Sequence, residues 1–517
     1  MWDAFGVGFM NQGLTPSIWV MTSLGLGVYL GGNLWLATLI SVVLAGIGFP
    51  IVWGVLGGSM PRSGGEYIYN SRIIHPIVGV GESFGNAVVW IMWIYVLAPW
   101  IADPGFVMLG GFMGWPGMVD FALNPWGMFV IAVVTNIIAF FFVVFGIKIF
   151  ARVQKIVMVF GIGGCIVICI ALSLYSQQDF ISAWNSTAAE FGSLDYDAFL
   201  SAVNEAAGQT MPTTWNWNDT LGTMVAGSWL FAYSYCITFI AGEVKRPDKT
   251  IMIANLFAIL VPAAFMIWTA LALYKMVPFD FLSATQWLDN NGTDMIEGYS
   301  LPWSTHYVGL LAIVNANKLL LFIATLSFLA FDLWWVALSY LAFPRIIFAW
   351  GMDRMGPKWF TDINPRWASP VKNHILCFVL GTLGIALYVF WTSNPIAGLA
   401  VTAMEIFSVF GITAVAALIF PYMKRARGIW DASPYRNWKI LGIPVVTLGA
   451  FVQLVYLGIL AYYFFFAPVT LEGFTLNAGL TIAVTWVLGI LWYLFWTWRN
   501  KSSGVDSSMT YGELPPE

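Results

Sequence analysis

The first apolar run of the chain, "FGVGFMNQGLTPSIWVMTSL" (Phe5–Leu24), decides the fold. Its length and apolar content are typical of a helix that crosses a membrane. Its centre, however, carries the amides of Asn11 and Gln12 together with Gly13 and Pro16. Glycine weakens a helix, and proline removes one of its backbone hydrogen bonds. The stretch therefore predicts a membrane helix that is interrupted near its midpoint.

The composition of the whole chain is that of a membrane protein. Of its 517 residues, 59% are hydrophobic and only 9% are charged, whereas a soluble domain carries about 25% charged residues. The apolar residues form runs of about 20 or more, the length needed to cross the hydrocarbon core. The sequence predicts an all-α integral membrane protein with twelve transmembrane helices, at approximately 5–25, 34–58, 77–110, 127–146, 149–175, 220–241, 250–276, 318–350, 371–392, 396–422, 441–466 and 475–498.

The distribution of basic residues predicts the orientation. With the N-terminus in the cytoplasm, all of the 22 Lys and Arg residues except Lys275 and Lys318 fall on the cytoplasmic side. Cytoplasmic loops of membrane proteins are rich in Lys and Arg. We therefore expect a multi-pass protein of the plasma membrane with both termini in the cytoplasm. The long acidic loop 176–219 is then external.

A second interrupted span organises the chain into two halves. The stretch "GSWLFAYSYCITFIAGEVKRPDKT" (227–250) has polar groups at its centre, Tyr233-Ser234-Tyr235. Paired interruptions in spans one and six indicate an inverted-repeat transporter with a midplane site. The predicted organisation is a transporter core (1–466) with repeat one at about 3–175, repeat two at about 220–422 and span eleven at 441–466, followed by span twelve at 475–498 and a disordered cytoplasmic tail at 499–517.

Three motifs carry a family resemblance. They are "MPRSGGEYIYNSR" (60–72), "AGEVKRPDKTI" (241–251) and "FAWGMDRMGPKWFTDINPRWASPV" (348–371). With these motifs in this order, the chain resembles the amino acid–polyamine–organocation (APC) permeases, in particular a prokaryotic amino acid permease branch, over about 3–466. The resemblance implies a five-plus-five inverted repeat, a central site between spans one, three, six, eight and ten, and secondary transport of amino acids or amines.

The interruption in span one provides the first candidate substrate-binding residues. A carboxylate is stabilised by free backbone N–H groups at the start of a half-helix, and an ammonium by carbonyl groups at the end of one. Asn11, Gln12, Gly13 and Thr15 are the candidates. The alternative is a simple proline kink at Pro16, with the amides bonded to a neighbouring helix.

Span six provides the second set of candidates. Alignment on the family motif places Trp229 where the family has an aromatic residue that closes over the substrate, and a two-residue shift in register would give that role to Phe231. The interruption itself is predicted at Phe231, Ala232, Tyr233 and Ser234, ending at Tyr235. Because aromatic residues in membrane helices usually serve packing, that interpretation of Trp229 also stays open.

Asp332 is the most informative acidic residue, because it lies in the middle of span eight among apolar neighbours. An acid within a membrane is costly and usually marks a transport pathway or a proton relay. Asp332 is a candidate to bind a substrate amine, to carry a coupling proton, or to ligate Na⁺ with Thr325 or Ser327. A structural role, bonded to an amide such as Asn11 or Asn136, is the alternative.

Two further acids are candidate coupling residues. Glu405 in span ten either faces the cavity beside Ser408 or pairs structurally. Glu243 lies at the inner end of span six, where a surface ion-pair cluster is favoured over proton coupling. The lysine found in span five of some proton-coupled relatives is replaced here by Gly161. The basic neighbours expected to pair with Glu243 are Lys245, Arg246 and Lys249.

These observations predict a secondary transporter rather than an enzyme. No nucleotide-binding motif is present, so we expect a gradient of H⁺ or Na⁺ to drive the import of amino acids or related amines by alternating access. No cofactor and no nucleic-acid partner are expected; the partners are the substrate and the lipid bilayer, and the sequence does not fix an oligomeric state. The alternatives are an amine or polyamine exchanger, a channel, for which no filter motif is seen, and a membrane sensor.

Overall fold

The computed structural model of the chain describes residues 1–392, 402, 405–465, 474–505 and 510–514. In the first half, a π-helix at Met21–Leu26 follows α2, and a 3-10 helix (Ala98–Ile101) and a π-helix (Ala102–Phe106) join α5 to α6. The α-helices are α1 Trp2–Met10, α2 Leu14–Val20, α3 Leu34–Ser59, α4 Glu66–Ile73, α5 Pro76–Leu97, α6 Val107–Met113, α7 Pro116–Leu123, α8 Pro125–Val144, α9 Ile147–Ser173, α10 Gln177–Phe191 and α11 Tyr196–Ala207.

In the second half, α12 leads into two 3-10 segments, Ser228–Leu230 and Ala232–Glu243. Other short 3-10 helices are Thr293–Met295, Lys358–Thr361 and Lys424–Ala426, and π-helices lie at Tyr388–Thr392 and Glu405–Gly411. The remaining elements are α12 Trp217–Gly227, α13 Pro247–Met276, α14 Phe279–Asn291, α15 Tyr307–Val314, α16 Lys318–Met352, α17 Val371–Leu387, α18 Ile412–Ile419, α19 Arg427–Ala432, the hairpin strands β1 Lys439–Ile440 and β2 Ile443–Pro444, α20 Val445–Phe465 and α21 Phe474–Ser502.

The predicted all-α membrane fold class is confirmed. Ten described helical segments are long and apolar enough to cross a membrane, and Glu405–Ile419 with Lys424–Ala432, bent by 78°, makes an eleventh candidate. The first predicted span corresponds to α1 and α2, each of which is too short to cross a membrane by itself. The start of the predicted span at 396–422 lies mostly outside the described residues. Large apolar side chains on the outer helices are exposed, as a lipid-facing surface requires, for example Val159 on α9 and Trp498 on α21.

The two interrupted spans lie side by side in the centre of the bundle. Helix α1 packs against α13, α9 and the 3-10 segment Ala232–Glu243, and α16 contacts α1, α2 and the same 3-10 segment. Span one is thereby surrounded by other helices, and Phe9 and Met10 at its centre are fully buried. Irregular backbone at membrane depth is tolerated only where protein or a cavity surrounds it, and this arrangement meets that requirement.

We call the part of the molecule formed by residues 60–75, 244–246, 353–370 and 423–444 the basic end. A buried ion pair links α4 to the residue that follows α16, with Arg72 Nη1 2.6 Å from Asp353 Oδ2. The Tyr67 hydroxyl donates to the same carboxylate at 2.7 Å, and the Arg72 guanidinium lies 5.1 Å from the ring of Tyr511. The structure differs here from the predicted disordered tail, because α21 continues to Ser502 and Tyr511 is only 2% exposed.

Candidate substrate site between the interrupted spans

The interruption in span one is centred on a left-handed residue. Helix α1 ends at Met10, Gly13 has φ +52° and ψ +57°, and α2 begins at Leu14. A Cβ atom at Gly13 would meet the indole ring of Trp335. Only glycine adopts this conformation at low cost and leaves room for the ring, so the residue identity at this position and the break in the helix are directly connected.

The hydrogen bond that is lost at Pro16 is replaced within the same turn. Because proline has no N–H, the carbonyl group of Gln12 loses its helical donor. The hydroxyl of Ser17 donates to that carbonyl at 2.5 Å, and the Ser17 N–H donates to the Gly13 carbonyl at 2.8 Å. The break is therefore satisfied by the chain's own groups rather than left open.

The two amides of span one reach across to span six. Asn11 Nδ2 donates to the Tyr233 carbonyl at 3.3 Å and to Cys236 Sγ at 2.7 Å. Gln12 Nε2 donates to the Phe231 carbonyl at 3.4 Å. The two interruptions predicted from the sequence are therefore in direct contact with each other.

Thr15 faces in another direction. Its hydroxyl lies 2.7 Å from Ser327 Oγ on α16, and Ser327 donates to the Gly161 carbonyl on α9 at 2.6 Å. These two bonds link α2, α16 and α9, and an added Cβ at Gly164 on α9 would meet the Ser327 side chain. Thr15 and Gly13 border the break but are not among the residues that line the cavity described below.

The interruption in span six includes the predicted residues Phe231–Tyr235, but it begins earlier, at Ser228. Regular α-helix ends at Gly227, and Phe231 has φ −130° and ψ −30°. From Ala232 to Glu243 the backbone is 3-10 helical over twelve residues, with a kink at Ile240 (φ −112°, ψ 20°), although 3-10 helices are rarely longer than about four residues. A glycine followed by a serine has low helix preference, which favours the earlier position.

A small aromatic cavity lies between the two interruptions. Its volume is about 10 Å³, roughly the space for one water molecule. Trp229 forms much of its wall, with ring centroids 5.0 Å from Trp93 at 88° and 6.0 Å from Trp335. The site is closed in this conformation. The lining residues are Asn11, Trp90, Trp93, Leu97, Trp229, Tyr233 and Trp335.

The other span-six candidates lie behind this wall. The Ser234 hydroxyl donates to Asn255 Oδ1 on α13 at 2.6 Å, away from the cavity. Ala232 is 2% exposed and is not among the lining residues. Phe231 contributes its carbonyl group to Gln12. Of the predicted substrate-binding residues, the structure thus places Asn11, Trp229 and Tyr233 on the cavity.

Glu405 lies directly next to the cavity. Trp93 Nε1 donates to Glu405 Oε1 at 3.3 Å, and the Tyr233 hydroxyl interacts with the same carboxyl group. The residue is fully buried, and Oε2 has no hydrogen-bond partner among the described residues. Ser408 accepts a hydrogen bond from Trp486 on α21 at 2.9 Å.

Asp332 is fully buried on α16, and neither carboxylate oxygen has a hydrogen-bond partner within the described part of the chain. The alternative partner Asn136 instead accepts from Tyr340 at 2.5 Å, and Asn11 is engaged with span six. The Thr325 hydroxyl donates to its own helix. Because residues three apart share a helix face, Asp332 lies on the side of α16 that also carries Trp335.

Glu243 has a different partner from the expected one. Arg345 on α16 donates to Glu243 Oε1 from Nη2 at 2.7 Å and from Nε at 3.3 Å. The predicted pairing with Lys245, Arg246 and Lys249 is not seen among the described ion pairs. Because Arg345 lies 102 positions away, no local pattern points to it. Glu243 directly precedes the segment 244–246 of the basic end, and neither residue of the pair lines the cavity.

Sequence reasoning missed a buried polar cluster beside this site. Asn86 Nδ2 donates to Glu66 Oε1 at 2.5 Å, and Asn70 Nδ2 donates to Glu82 Oε2 at 3.1 Å. All four residues are 0% exposed. The available signal was the spacing: an acid is followed four residues later by an asparagine in both α4 and α5, which places the two side chains on one helix face.

Comparison with protein families agrees with this architecture. The family described as amino acid permease matches residues 2–495, which includes both interruptions and all of the cavity. A comparison with curated proteins finds no match.

Proposed function

Because this chain belongs to the amino acid permease family, we propose that it imports amino acids or related amines across the cytoplasmic membrane by alternating access, with H⁺ or Na⁺ as the coupling ion. The family is one of transporters and not of enzymes, and it implies a small-molecule amino acid substrate. The basic end faces the cytoplasm in this proposal, as the positive-inside rule favours.

The observation that carries the proposal is the contact between the two interrupted spans. Asn11 and Gln12 of one break bond to the backbone of the other, and the aromatic cavity lies at this junction. Interrupted helices expose backbone N–H and C=O groups, which bind opposite charges without a buried ionised side chain. A zwitterion needs both kinds of partner.

The walls of the cavity favour a cationic amino group on the substrate. The cavity is lined by four tryptophans, Trp90, Trp93, Trp229 and Trp335. Indole rings attract cations through their π faces. No Lys or Arg is among the lining residues, while the carboxyl group of Glu405 lies just behind Trp93. The same observation favours the second candidate function, exchange of organic amines or polyamines.

The size of the cavity requires movement during transport. A volume of about 10 Å³ is too small for any amino acid, so binding must separate the aromatic side chains. Trp229 contacts Trp93, Trp100 and Trp335, and its displacement would open the wall on several sides at once. This supports Trp229 as the lid of the site.

Asp332 is the proposed coupling residue. Its carboxyl group is buried without a hydrogen-bonding partner among the described residues, and a buried carboxylate is costly unless a proton or a cation neutralises it. It lies one helical turn from Trp335, whose Nε1 donates to the Asn11 carbonyl at 2.5 Å. A change in the charge of Asp332 would therefore act next to the break in span one.

Uptake by the purified protein in proteoliposomes tests the proposal. A panel of labelled amino acids and amines is offered with imposed pH or Na⁺ gradients. We expect Asp332→Asn to lose gradient-driven uptake by about tenfold or more, which corresponds to about 1.4 kcal/mol, and to retain exchange. Asp362→Asn, at an exposed ion pair with Lys372, is the matched control.

Three results would contradict parts of this proposal. Unchanged gradient dependence in Asp332→Asn would remove it as the coupling residue. Gradient-independent counterflow in the wild type would favour the exchanger. Absence of uptake for every substrate in the panel would contradict the assigned substrate class.

A further inference from the structure

The cluster of Glu66, Asn70, Glu82 and Asn86 has an unusual hydrogen-bond balance. The four residues form a square between the antiparallel helices α4 and α5, since each asparagine donates to the glutamate on the opposite helix. Four oxygens in the square have no partner among the described residues: Glu66 Oε2, Glu82 Oε1, Asn70 Oδ1 and Asn86 Oδ1. The square therefore contains four unused acceptors and lacks donors.

The charge balance of the square is equally incomplete. The carboxyl groups of Glu66 and Glu82 act on each other electrostatically, and both residues are 0% exposed. None of the ion pairs within the described residues includes either one. Two adjacent carboxylates in a dry interior cannot both stay ionised without a counter-charge.

We propose that this square is a proton-binding site, in which both glutamic acids are neutral and each donates a hydrogen bond to the asparagine four residues later on its own helix. Glu66 Oε2–H then has Asn70 Oδ1 as its acceptor, and Glu82 Oε1–H has Asn86 Oδ1. With the two observed amide bonds, these complete a closed ring of four hydrogen bonds. Two protons thereby satisfy all four unused oxygens.

The effect of burial on the pKa agrees with this assignment. It raises the pKa of Glu66, which lies between the membrane spans, because the charged form loses its hydration. The other titratable groups that act on the ring are Glu405, Tyr235 and Cys236. The ring's own helices also carry Tyr67, Tyr69, Arg72 and Tyr95. Among the charged or titratable groups of α16, α17, α21 and the 424–426 turn, Arg345, Asp353 and Lys372 are paired elsewhere. The others are Lys318, Asp332, Tyr340, His374, Cys377, Lys424, Arg425, Tyr493, Arg499 and Lys501.

The ring is connected to the moving parts of the proposed transporter. Asn70 Nδ2 also donates to Thr413 Oγ1 on α18 at 3.1 Å, and Glu66 acts electrostatically on Glu405 beside the cavity. A shift of α18 against α4 would disturb the ring and change its proton affinity. The existence of the proton site does not depend on the substrate, and only its use in transport rests on the proposed function.

Infrared spectroscopy of the purified full chain tests the site directly. The C=O stretching band of a protonated carboxylic acid is recorded at neutral pH for the wild type, Glu66→Gln, Glu82→Gln and the double variant. Glutamine keeps one donor and one acceptor, so each variant retains the ring. We expect each single variant to lose an equal share of the band and the double variant to lose both shares, while Glu205→Gln, at an exposed position on α11, loses none.

Stability as a function of pH gives a second measurement. Because burial raises the pKa of Glu66 in the folded state, the neutral ring stabilises the protein fully below the unfolded pKa of about 4.3. That stabilisation is lost as the pH rises through the folded pKa. We expect the Tm of the wild type to fall more steeply between about pH 5 and about pH 9 than the Tm of the double variant.

Several results would overturn the proposal. An unchanged band in the double variant would show that the carboxyl groups are ionised, and loss in only one single variant would exclude two bound protons. A band that weakens on addition of Na⁺ at constant pH, in the wild type but not in the double variant, would assign the square to a metal cation. A wild type that keeps the band but transports no substrate would contradict the proposed function and leave the proton site in place.

Discussion

The two interrupted spans of this molecule are built in different ways. Span one breaks over three residues, between Met10 and Leu14, and resumes as α-helix at once. Span six leaves α-helical geometry at Gly227 and does not return to it before Val244. The first break depends on the backbone properties of Gly13 and Pro16, whereas the second depends on side-chain packing around a long 3-10 segment. We therefore expect single substitutions to affect the localised break in span one more strongly than the extended break in span six.

The largest expected effect is that of Gly13→Ala. The positive φ and the clash with Trp335 each cost on the order of 1–3 kcal/mol. We expect a lower Tm of the purified protein and loss of uptake in proteoliposomes. Gly163→Ala on α9 is the matched control, because an added Cβ there meets nothing within 4 Å and alanine favours a helix. Equal behaviour of the two variants would show that the break in span one tolerates a side chain.

A smaller effect is expected for Ser17→Ala. The buried Gln12 carbonyl receives no hydrogen bond from Pro16, which has no N–H, and it accepts one from the Ser17 hydroxyl instead. The change to alanine removes that hydroxyl. An unsatisfied buried acceptor costs about 1–3 kcal/mol. We expect a drop in Tm in thermal unfolding, and Ser17→Thr, which keeps a hydroxyl group, should restore most of it. A Ser17→Ala protein as stable as the wild type would mean that another group satisfies this carbonyl.

The smallest effect is expected for Ser234→Ala in span six. Its hydroxyl donates to the Asn255 side chain at 2.6 Å, and Asn255 Nδ2 has no partner among the described residues. The Asn255 amide is a side chain that can rotate about its own bonds, unlike the backbone carbonyl of Gln12, so we expect a smaller loss of about 0.5–1.5 kcal/mol. Thermal unfolding of Ser234→Ala and Ser17→Ala under the same conditions measures the difference in Tm. A larger destabilisation in Ser234→Ala would reverse the distinction between a localised and an extended break.

This distinction also explains what the sequence could and could not predict. Gly13 and Pro16 act on their own backbone, so the break in span one is visible in a short stretch of sequence. The long 3-10 segment after Phe231 depends on neighbours from other helices, such as Asn11 and Asn255, and its extension beyond Tyr235 to Glu243 was therefore not predicted. Fold class followed from composition and run length alone, because the bilayer constrains both.

Side-chain partners far apart in sequence were harder to predict. Trp93 and Trp335 are two of 28 tryptophans, and nothing in their local sequence separates a cavity wall from lipid-facing packing. Glu243 was assigned to adjacent basic residues although its partner is Arg345. Glu66 lies in the polar motif 60–72, and its burial follows only from the packing of α4 against α5.

The twelve-residue 3-10 helix at Ala232–Glu243 has a consequence for the length of span six. At about 2.0 Å per residue it extends about 24 Å, whereas twelve residues of α-helix extend about 18 Å. Conversion between the two forms would change the distance between Phe231 and Val244 by about 6 Å, slightly more than one α-helical turn. Span six can therefore change its length inside the bundle through its backbone geometry, on either side of the kink at Ile240, whose φ of −112° and ψ of 20° are not helical.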